Sequence, residues 1–393
     1  MRTVILLAGL TTCVFTTARA EPKPRSELIF TPQDKHCHGS SIVECPNGDL
    51  LACWFQGSGE RSANDVAVLG SRLKKGDDAW SPVFVMADTP EFPDCNPVLF
   101  RDAKDRLWMF WIAVRANRWE RSLLKYRRAE DYQGDGPPTW SWQDAILLRP
   151  GEGFVESIER GFRELRIRDG AWGEYAPPYR RLVIEAARDP IKRQEGWMTR
   201  IHPLVLPSGR IILPLYSDGF NLSMTAISDD LGETWRASGP IVGLGGIQPT
   251  IVRKSDGTLV AYLRETGRAP SRVQRSISTD DGLTWSPSRD TEIPNPSSSL
   301  EVIALRDGRW VMIFNDTERG RHRLALALSE DEGATWPHKR YLEDGRPGEG
   351  GYAYPSLFQG ADGRLHMTYS HHPKSGRTIK HVATDAEWIK RQN

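Results

Sequence analysis

The chain has 393 residues, 39% of them hydrophobic and 26% charged, with 35 Gly, 27 Pro and 14 Trp. That composition can bury a large core and excludes a disordered tail, a collagen and a coiled coil. The 52 Lys and Arg nearly cancel the 51 Asp and Glu, leaving a formal charge of +1; without a basic run there is no electrostatic footprint for DNA or RNA, whose phosphates attract clustered cations.

At the start, Arg2 precedes the apolar run Val4-Ile5-Leu6-Leu7-Ala8-Gly9-Leu10, and the segment ends in Ala18-Arg19-Ala20. That order predicts a secretory signal over residues 1–20, cleaved after Ala20. A membrane helix needs about twenty apolar residues, and Thr11, Thr12, Thr16 and Thr17 interrupt this run. The mature chain, 21–393, is therefore expected to be secreted or periplasmic. Within it, Leu28-Ile29-Phe30 reads as a short strand free to pair with the end of the chain. Cys37, Cys45, Cys53 and Cys95 have two readings, two disulfides in one of three pairings or small buried thiols.

Farther along, a turn followed by an alternating apolar strand recurs, as in Asp256-Gly257-Thr258-Leu259-Val260-Ala261-Tyr262, with turns at Gly48, Asp105, Gly209, Gly257, Gly308 and Gly363. Each is preceded by a short apolar run, so each reads as a hairpin. The period is about fifty residues, apart from one long gap. The gap is assigned to an insertion over about 113–197, rich in Arg, Trp, Pro and Glu, expected to form long loops on one rim.

A second repeat follows the first, at Ser228-Asp229-Asp230-Leu231-Gly232-Glu233-Thr234-Trp235, Ser278 to Trp285 and Ser329 to Trp336, with a degenerate copy at Ser71 to Trp80. Its Asp can bond backbone N–H groups in a tight turn, its Gly supplies positive φ and its Trp anchors the turn. Spaced copies argue for folding rather than catalysis. Hairpin, third strand, turn and fourth strand make a four-stranded sheet, the size of a propeller blade. The fold class is thus all-β, a six-bladed β-propeller forming one domain over 21–393.

In a propeller the innermost strands line a central funnel where ligands bind. Counting nine residues back from the hairpin turns gives Asn96, Arg200, Gln248, Ser299 and Tyr354, and counting seven gives His202 and Glu301 on the same strand face. For the first blade the nearest polar residue is His38, with His36 close by. These are polar side chains where a structural strand would carry Val or Ile.

The three full copies of the second repeat resemble the Asp boxes of the sialidase (BNR repeat) superfamily. The stretches Ile201 to Arg210 and Arg377-Thr378-Ile379-Lys380-His381 resemble its bacterial BNR repeat-like group. The resemblance implies a Tyr nucleophile activated by a Glu, an acid/base Asp on a first-blade loop, and three Arg holding the sugar carboxylate. A neutral phenol is suited to attack beside a carboxylate that would repel an anion, and guanidiniums clamp that carboxylate by charge-assisted bonds. Carried over, Tyr354 resembles the nucleophile, Asp65 the acid/base, Arg264 the second Arg, and Arg321 or Arg323 the third. Two positions depart. Gln248 stands where the activating Glu is expected, with Glu301 one blade on as a substitute, and His38 fills the first Arg position.

Three readings result. One is an exo-acting glycosidase for sialic acid or a related acidic sugar, with Arg264 and Arg200 on the carboxylate. Another is a uronate lyase using His38 or His202 with Tyr354 as acid/base pair, and Arg264 to neutralise the carboxylate. A third is a glycan-binding propeller with Trp54, Trp108, Trp111, Trp119 and Tyr216 as stacking surfaces. No cofactor is expected, because there is no nucleotide or phosphate fingerprint. His371, His372 and His381 read as surface histidines rather than metal ligands.

Overall fold

The computed structural model describes residues 24–391 apart from 169, 172–177 and 268. Among them are six four-stranded antiparallel sheets, the blades of a β-propeller. Blade one is His36–Glu44, Leu50–Gly57, Ala67–Leu73 and Phe84–Ala87. Blade four, Gly246–Arg253 to Arg289–Pro294, and blade five, Glu301–Ala304 to His338–Asp344, repeat the plan. The hairpin turn of every blade rests on a left-handed residue, with φ of 87° at Gly48, 58° at Asp105, 87° at Gly209, 94° at Gly257, 90° at Gly308 and 89° at Gly363. Glycine reaches that region without a Cβ clash, which is why the turns carry it.

Innermost strands of neighbouring blades touch around the ring, one with two, four with five, five with six and six with one. Apolar side chains fill the wedges between them; Trp54, Trp108 and Trp111 are fully buried there. These three are core, not stacking surfaces. The ring closes where Arg25–Leu28 pairs antiparallel with Thr378–Thr384 and becomes the outer strand of blade six. Ile29 N–H extends the pairing by donating to the Ile379 carbonyl at 2.9 Å. The pairing covers the edge that Thr378–Thr384 would otherwise leave open.

Each Asp box is a folding device. In the first, Ser228 Oγ accepts from Gly232 N–H at 2.8 Å and donates to Asp230 at 2.8 Å. Asp230 in turn accepts from the N–H and hydroxyl of Thr234 at 2.9 and 2.6 Å. The pattern repeats through Asp280 and Asp331. Bonds from Thr335 hold the Asp331 carboxyl down to about 2.

The stretch expected as looped insertion is more ordered than that. It supplies the outer strands of blade two, Ser122–Ala129 and Trp142–Ala145, and the helices α1 (Gly153–Glu164) and α2 (Tyr179–Arg188). The reason is helical spacing: Phe154, Ile158 and Phe162 form one buried stripe on α1, facing Tyr179 and Val183 of α2. A third helix, α3 (Ala386–Lys390), is capped by Asp385.

The four cysteines are free and buried, and burial pushes the Cys37 thiol up to about 12. His381 is no surface residue; it is buried against Glu27, at 3.0 Å, and His366, at 3.2 Å. The expected signal, 1–20, lies outside the described residues. Among those, no helix is long and apolar enough to cross a membrane.

Candidate active site

The innermost strands of blades one, two, four and six share one irregularity. Their register slips between His38 and Ser41, Cys95 and Val98, Ile247 and Thr250, and Ala353 and Ser356. At each slip one residue is left-handed: Gly39 with φ 64°, Asn96 51°, Gln248 54° and Tyr354 53°. The last three precede Pro97, Pro249 and Pro355. A non-glycine residue in this region costs about 1–3 kcal/mol, so each bulge is held by its surroundings and re-aims a side chain toward the axis. Three of the positions found by counting nine back are therefore bulge residues. In blade five the left-handed residue is Ser297, φ 55°, two before Ser299. In blade three Arg200 occupies the equivalent place.

These bulges line an open cavity of about 910 Å3. At its floor Tyr354 Oη accepts from Arg264 Nη1 at 3.0 Å and from Gln248 Nε2 at 3.1 Å. Arg264 also reaches Gln248 Oε1 at 3.4 Å and is braced by Ser297 Oγ at 3.1 and 3.2 Å. The Arg321 guanidinium lies 5.6 Å from the Tyr354 ring centre and donates to the Ser297 carbonyl at 2.9 Å. Asn96 donates to Tyr216 Oη at 2.9 Å, and burial pushes that phenol well above its usual range.

Arg200 is fully buried behind this floor. It sits 4.9 Å from the Tyr354 ring centre and donates to the carbonyls of Ser40, at 3.2 Å, and Pro355, at 3.0 Å. It thus ties the bulges of blades one and six together, and it does not line the cavity. His202 and Glu301 lie outside that lining too. Their side chains pair at 2.6 Å, and Glu301 also accepts from Leu357 N–H at 2.7 Å, which fixes blade five to blade six. Arg323 turns outward to Asp344 at 2.7 Å.

On the blade-one loop Asp65 is exposed, accepting from Ser58 N–H and Oγ at 2.9 and 2.7 Å, with Lys35 at 3.5 Å. Those bonds hold its carboxyl low, and it does not line the cavity. Glu60, five residues earlier, does. Burial raises its carboxyl above the usual range although Arg61, Arg321 and Arg264 pull it down. Beside it Arg61 stacks on Trp119 at 5.4 Å.

One wall is made of imidazoles. The His38 ring lies 4.0 Å from Tyr354 and 5.8 Å from His372, centre to centre, and Nδ1 of His38 meets Ser370 Oγ at 2.8 Å. His36 meets Arg377 at 2.7 Å. Burial drives His36 down to about 4, and burial with nearby arginines keeps His38 and His372 low as well. This wall is neutral at ordinary pH. Positive charge in the cavity is left to Arg61, Arg264, Arg321 and Arg377, against Glu60 and Asp218.

Counting along strands found Tyr354, Gln248, Asn96 and His38. It missed Glu60, which sits on a loop without periodicity, and Asp218, in the turn after the strand ending at Ser217. His372, expected at the surface, lines the cavity instead, and Arg377 joins it from just before the strand Thr378–Thr384.

The family model described as BNR repeat-like domain matches residues 48–172 and 195–367. The curated anhydrosialidase of Macrobdella decora is 26% identical over 192 residues, 44% of this chain and 25% of that protein. The sialidase of Paraclostridium sordellii is 30% identical over 128 residues, 28% of this chain and 30% of that protein. The matches thus span about a quarter to a third of those relatives. The solved Hadza microbial sialidase Hz136 superposes with a TM-score of 0.64 at 16% identity, covering 90% of this chain and 66% of that one. At that identity the superposition speaks for the fold alone.

Proposed function

The chain belongs to the BNR repeat-like family, and from that premise we propose that it is a sialidase-type glycosidase, removing a terminal acidic sugar from glycans in exo fashion. The observation that carries the reading is the environment of Tyr354: a phenol at the floor of an open cavity, held by Arg264 and Gln248 at 3.0 and 3.1 Å and flanked by Arg321. Arg264 and Arg321 bind the sugar carboxylate, and Tyr354 Oη attacks the anomeric carbon. Its proton passes to water in the cavity, and the charge developing on oxygen is met by two donors already aimed at it. Glu60, whose carboxyl burial raises above its usual range, gives its proton to the leaving oxygen, then draws one from the water that releases the sugar. The acid/base role that the resemblance attaches to Asp65 thus falls to Glu60.

Gln248 is an amide, and Tyr354 Oη accepts from it and from Arg264, so activation here rests on donors rather than on a base. With His38 in place of an arginine, the carboxylate is held by the two guanidiniums beside Tyr354, those of Arg264 and Arg321. The N-terminal pattern supports a secreted or periplasmic enzyme. The test is release of sialic acid from an aryl sialoside, abolished in Tyr354→Phe.

A second reading keeps the cavity and changes the reaction. The His38 imidazole, neutral and packed on Tyr354, suits proton abstraction beside a uronate carboxylate held by Arg264. Ultraviolet absorbance from an unsaturated uronate, with no hydrolysis of sialosides, would select it.

A further inference from the structure

Arg377 stands on a fixed turn between the strands Leu365–Pro373 and Thr378–Thr384 of blade six. Its N–H donates to the Gln33 carbonyl at 2.9 Å and its carbonyl accepts from Gln33 N–H at 3.0 Å, an isolated antiparallel bridge to the segment entering blade one. Gly376 before it has φ 140°, and a Cβ there would meet the Gln33 carbonyl oxygen at 2.9 Å, so glycine is what lets the turn lie this close. The main chain thus sets the Arg377 guanidinium on the cavity wall, where among the described residues it meets the His36 imidazole, at 2.7 Å, rather than a carboxylate.

Around it the rings of His36, His38 and His372 form a triangle with centres 5.7, 5.8 and 6.4 Å apart, and the Cys37 carbonyl fixes His372 at 3.1 Å. Besides one another, the three imidazoles are held low by burial and by the charges of Arg377, Arg321 and Arg200. The two acids of the cavity act elsewhere. Glu60 is drawn down by Arg61, Arg321 and Arg264, and Asp218 acts on Tyr216. Even with Glu60 ionised, the guanidiniums of Arg61, Arg264, Arg321 and Arg377 outnumber Glu60, Asp218 and one bound sugar carboxylate. The unmatched cation is Arg377, two ring contacts from the nucleophile, His36 to His38 at 5.7 Å and His38 to Tyr354 at 4.0 Å.

We infer that Arg377, with the His36 and His372 rings around it, is a second anion site, and that the acidic sugar taken by this cavity carries a sulfate ester besides its carboxylate. One guanidinium among neutral imidazoles matches a single negative charge. A sulfate ester is the singly charged group that sugar hydroxyls carry, whereas a phosphate ester carries about −1.5 to −2 at neutral pH. The inference rests on the glycosidase reading for the place of the carboxylate, not for the anion site itself.

Two aryl sialosides, one plain and one sulfated on the side chain of the sialic acid, compare the substrate classes. In the wild type kcat/KM should favour the sulfated one about tenfold, as one charge-assisted bond allows, and Arg377→Met should erase that preference. Lys35→Met, which removes an equal charge outside the cavity lining, should keep it. No preference in the wild type, or equal losses on both substrates in Arg377→Met, overturns the inference. Titration with sodium sulfate, followed by NMR on the imidazoles of His36 and His372, needs no turnover. Where neither sialoside is cleaved, a saturable shift whose midpoint rises about tenfold in Arg377→Met upholds the anion site, and an absent shift or an unchanged midpoint overturns it.

Discussion

Replacing Gln248 by Glu keeps the shape of the side chain and reverses one hydrogen bond. The amide now donates to Tyr354 Oη at 3.1 Å and accepts from Arg264 at 3.4 Å, with 1% of the residue exposed. A carboxylate there would accept the phenol proton instead. Its attraction to Arg264 at this separation is about 5 kcal/mol at an effective dielectric of about 20, against a desolvation cost of several kcal/mol for a buried ion. The two nearly offset, so Gln248→Glu should fold and carry an ionised carboxylate at neutral pH. General-base assistance is worth about a hundredfold at its lower end, roughly 2.7 kcal/mol of barrier. Hydrolysis of an aryl sialoside should therefore show kcat raised about a hundredfold, with KM also raised because Arg264 is partly occupied. The kcat profile should gain an acidic limb, since the new carboxylate works only when ionised. A folded variant with kcat unchanged or lowered across pH would refute the expectation that a base at this position outweighs the lost amide donor.

Glu60→Gln should lower kcat on glycan substrates about a hundredfold or more yet spare aryl sialosides whose phenols leave without protonation. Because burial raises this carboxyl, wild-type activity on glycans should fall as pH rises through its pKa, and equal loss on both substrate classes would contradict the acid role. Arg200→Met leaves the carbonyls of Ser40 and Pro355 without their donor, at about 1–3 kcal/mol each. The thermal midpoint and kcat should drop together, and an unchanged midpoint would count against the tie between the two bulges. Glu265, buried and raised from 4.5 to about 7, holds its proton more tightly folded than unfolded. Unfolding free energy should thus decline as pH rises from about 4.5 to 7 and then level off. Chemical denaturation should show that decline flattened in Glu265→Gln, and an identical pH dependence in both proteins would refute it.

The propeller was legible because its hairpin turns and Asp boxes use residues that few other backbones need. Gly48, Gly257 and Gly363 mark left-handed turns, and Asp230, Asp280 and Asp331 mark carboxylate-stitched ones. Counting back from those turns reached Asn96, Gln248 and Tyr354 because the same bulge recurs in several blades at the same distance. The count identifies a position, not the depth of its side chain. Arg200, His202 and Glu301 share the strand face yet are spent on backbone carbonyls and on each other. Loop residues have no period to count, so Glu60 and Asp65 were indistinguishable until burial separated them. Helices α1 and α2 were hidden by the charged residues on their outer faces, although the stripe Phe154, Ile158 and Phe162 was present.

The proposed hydrolysis requires a bond between Tyr354 and the sugar. The direct measurement is mass spectrometry of the protein after incubation with a glycosyl fluoride of sialic acid bearing a second fluorine beside the anomeric carbon. That fluorine disfavours the oxocarbenium-like transition state and lets an intermediate accumulate. One added glycosyl group is expected, located on the peptide containing Tyr354 and absent in Tyr354→Phe. Turnover of the aryl sialoside with no adduct, or an adduct on any other residue, would contradict it.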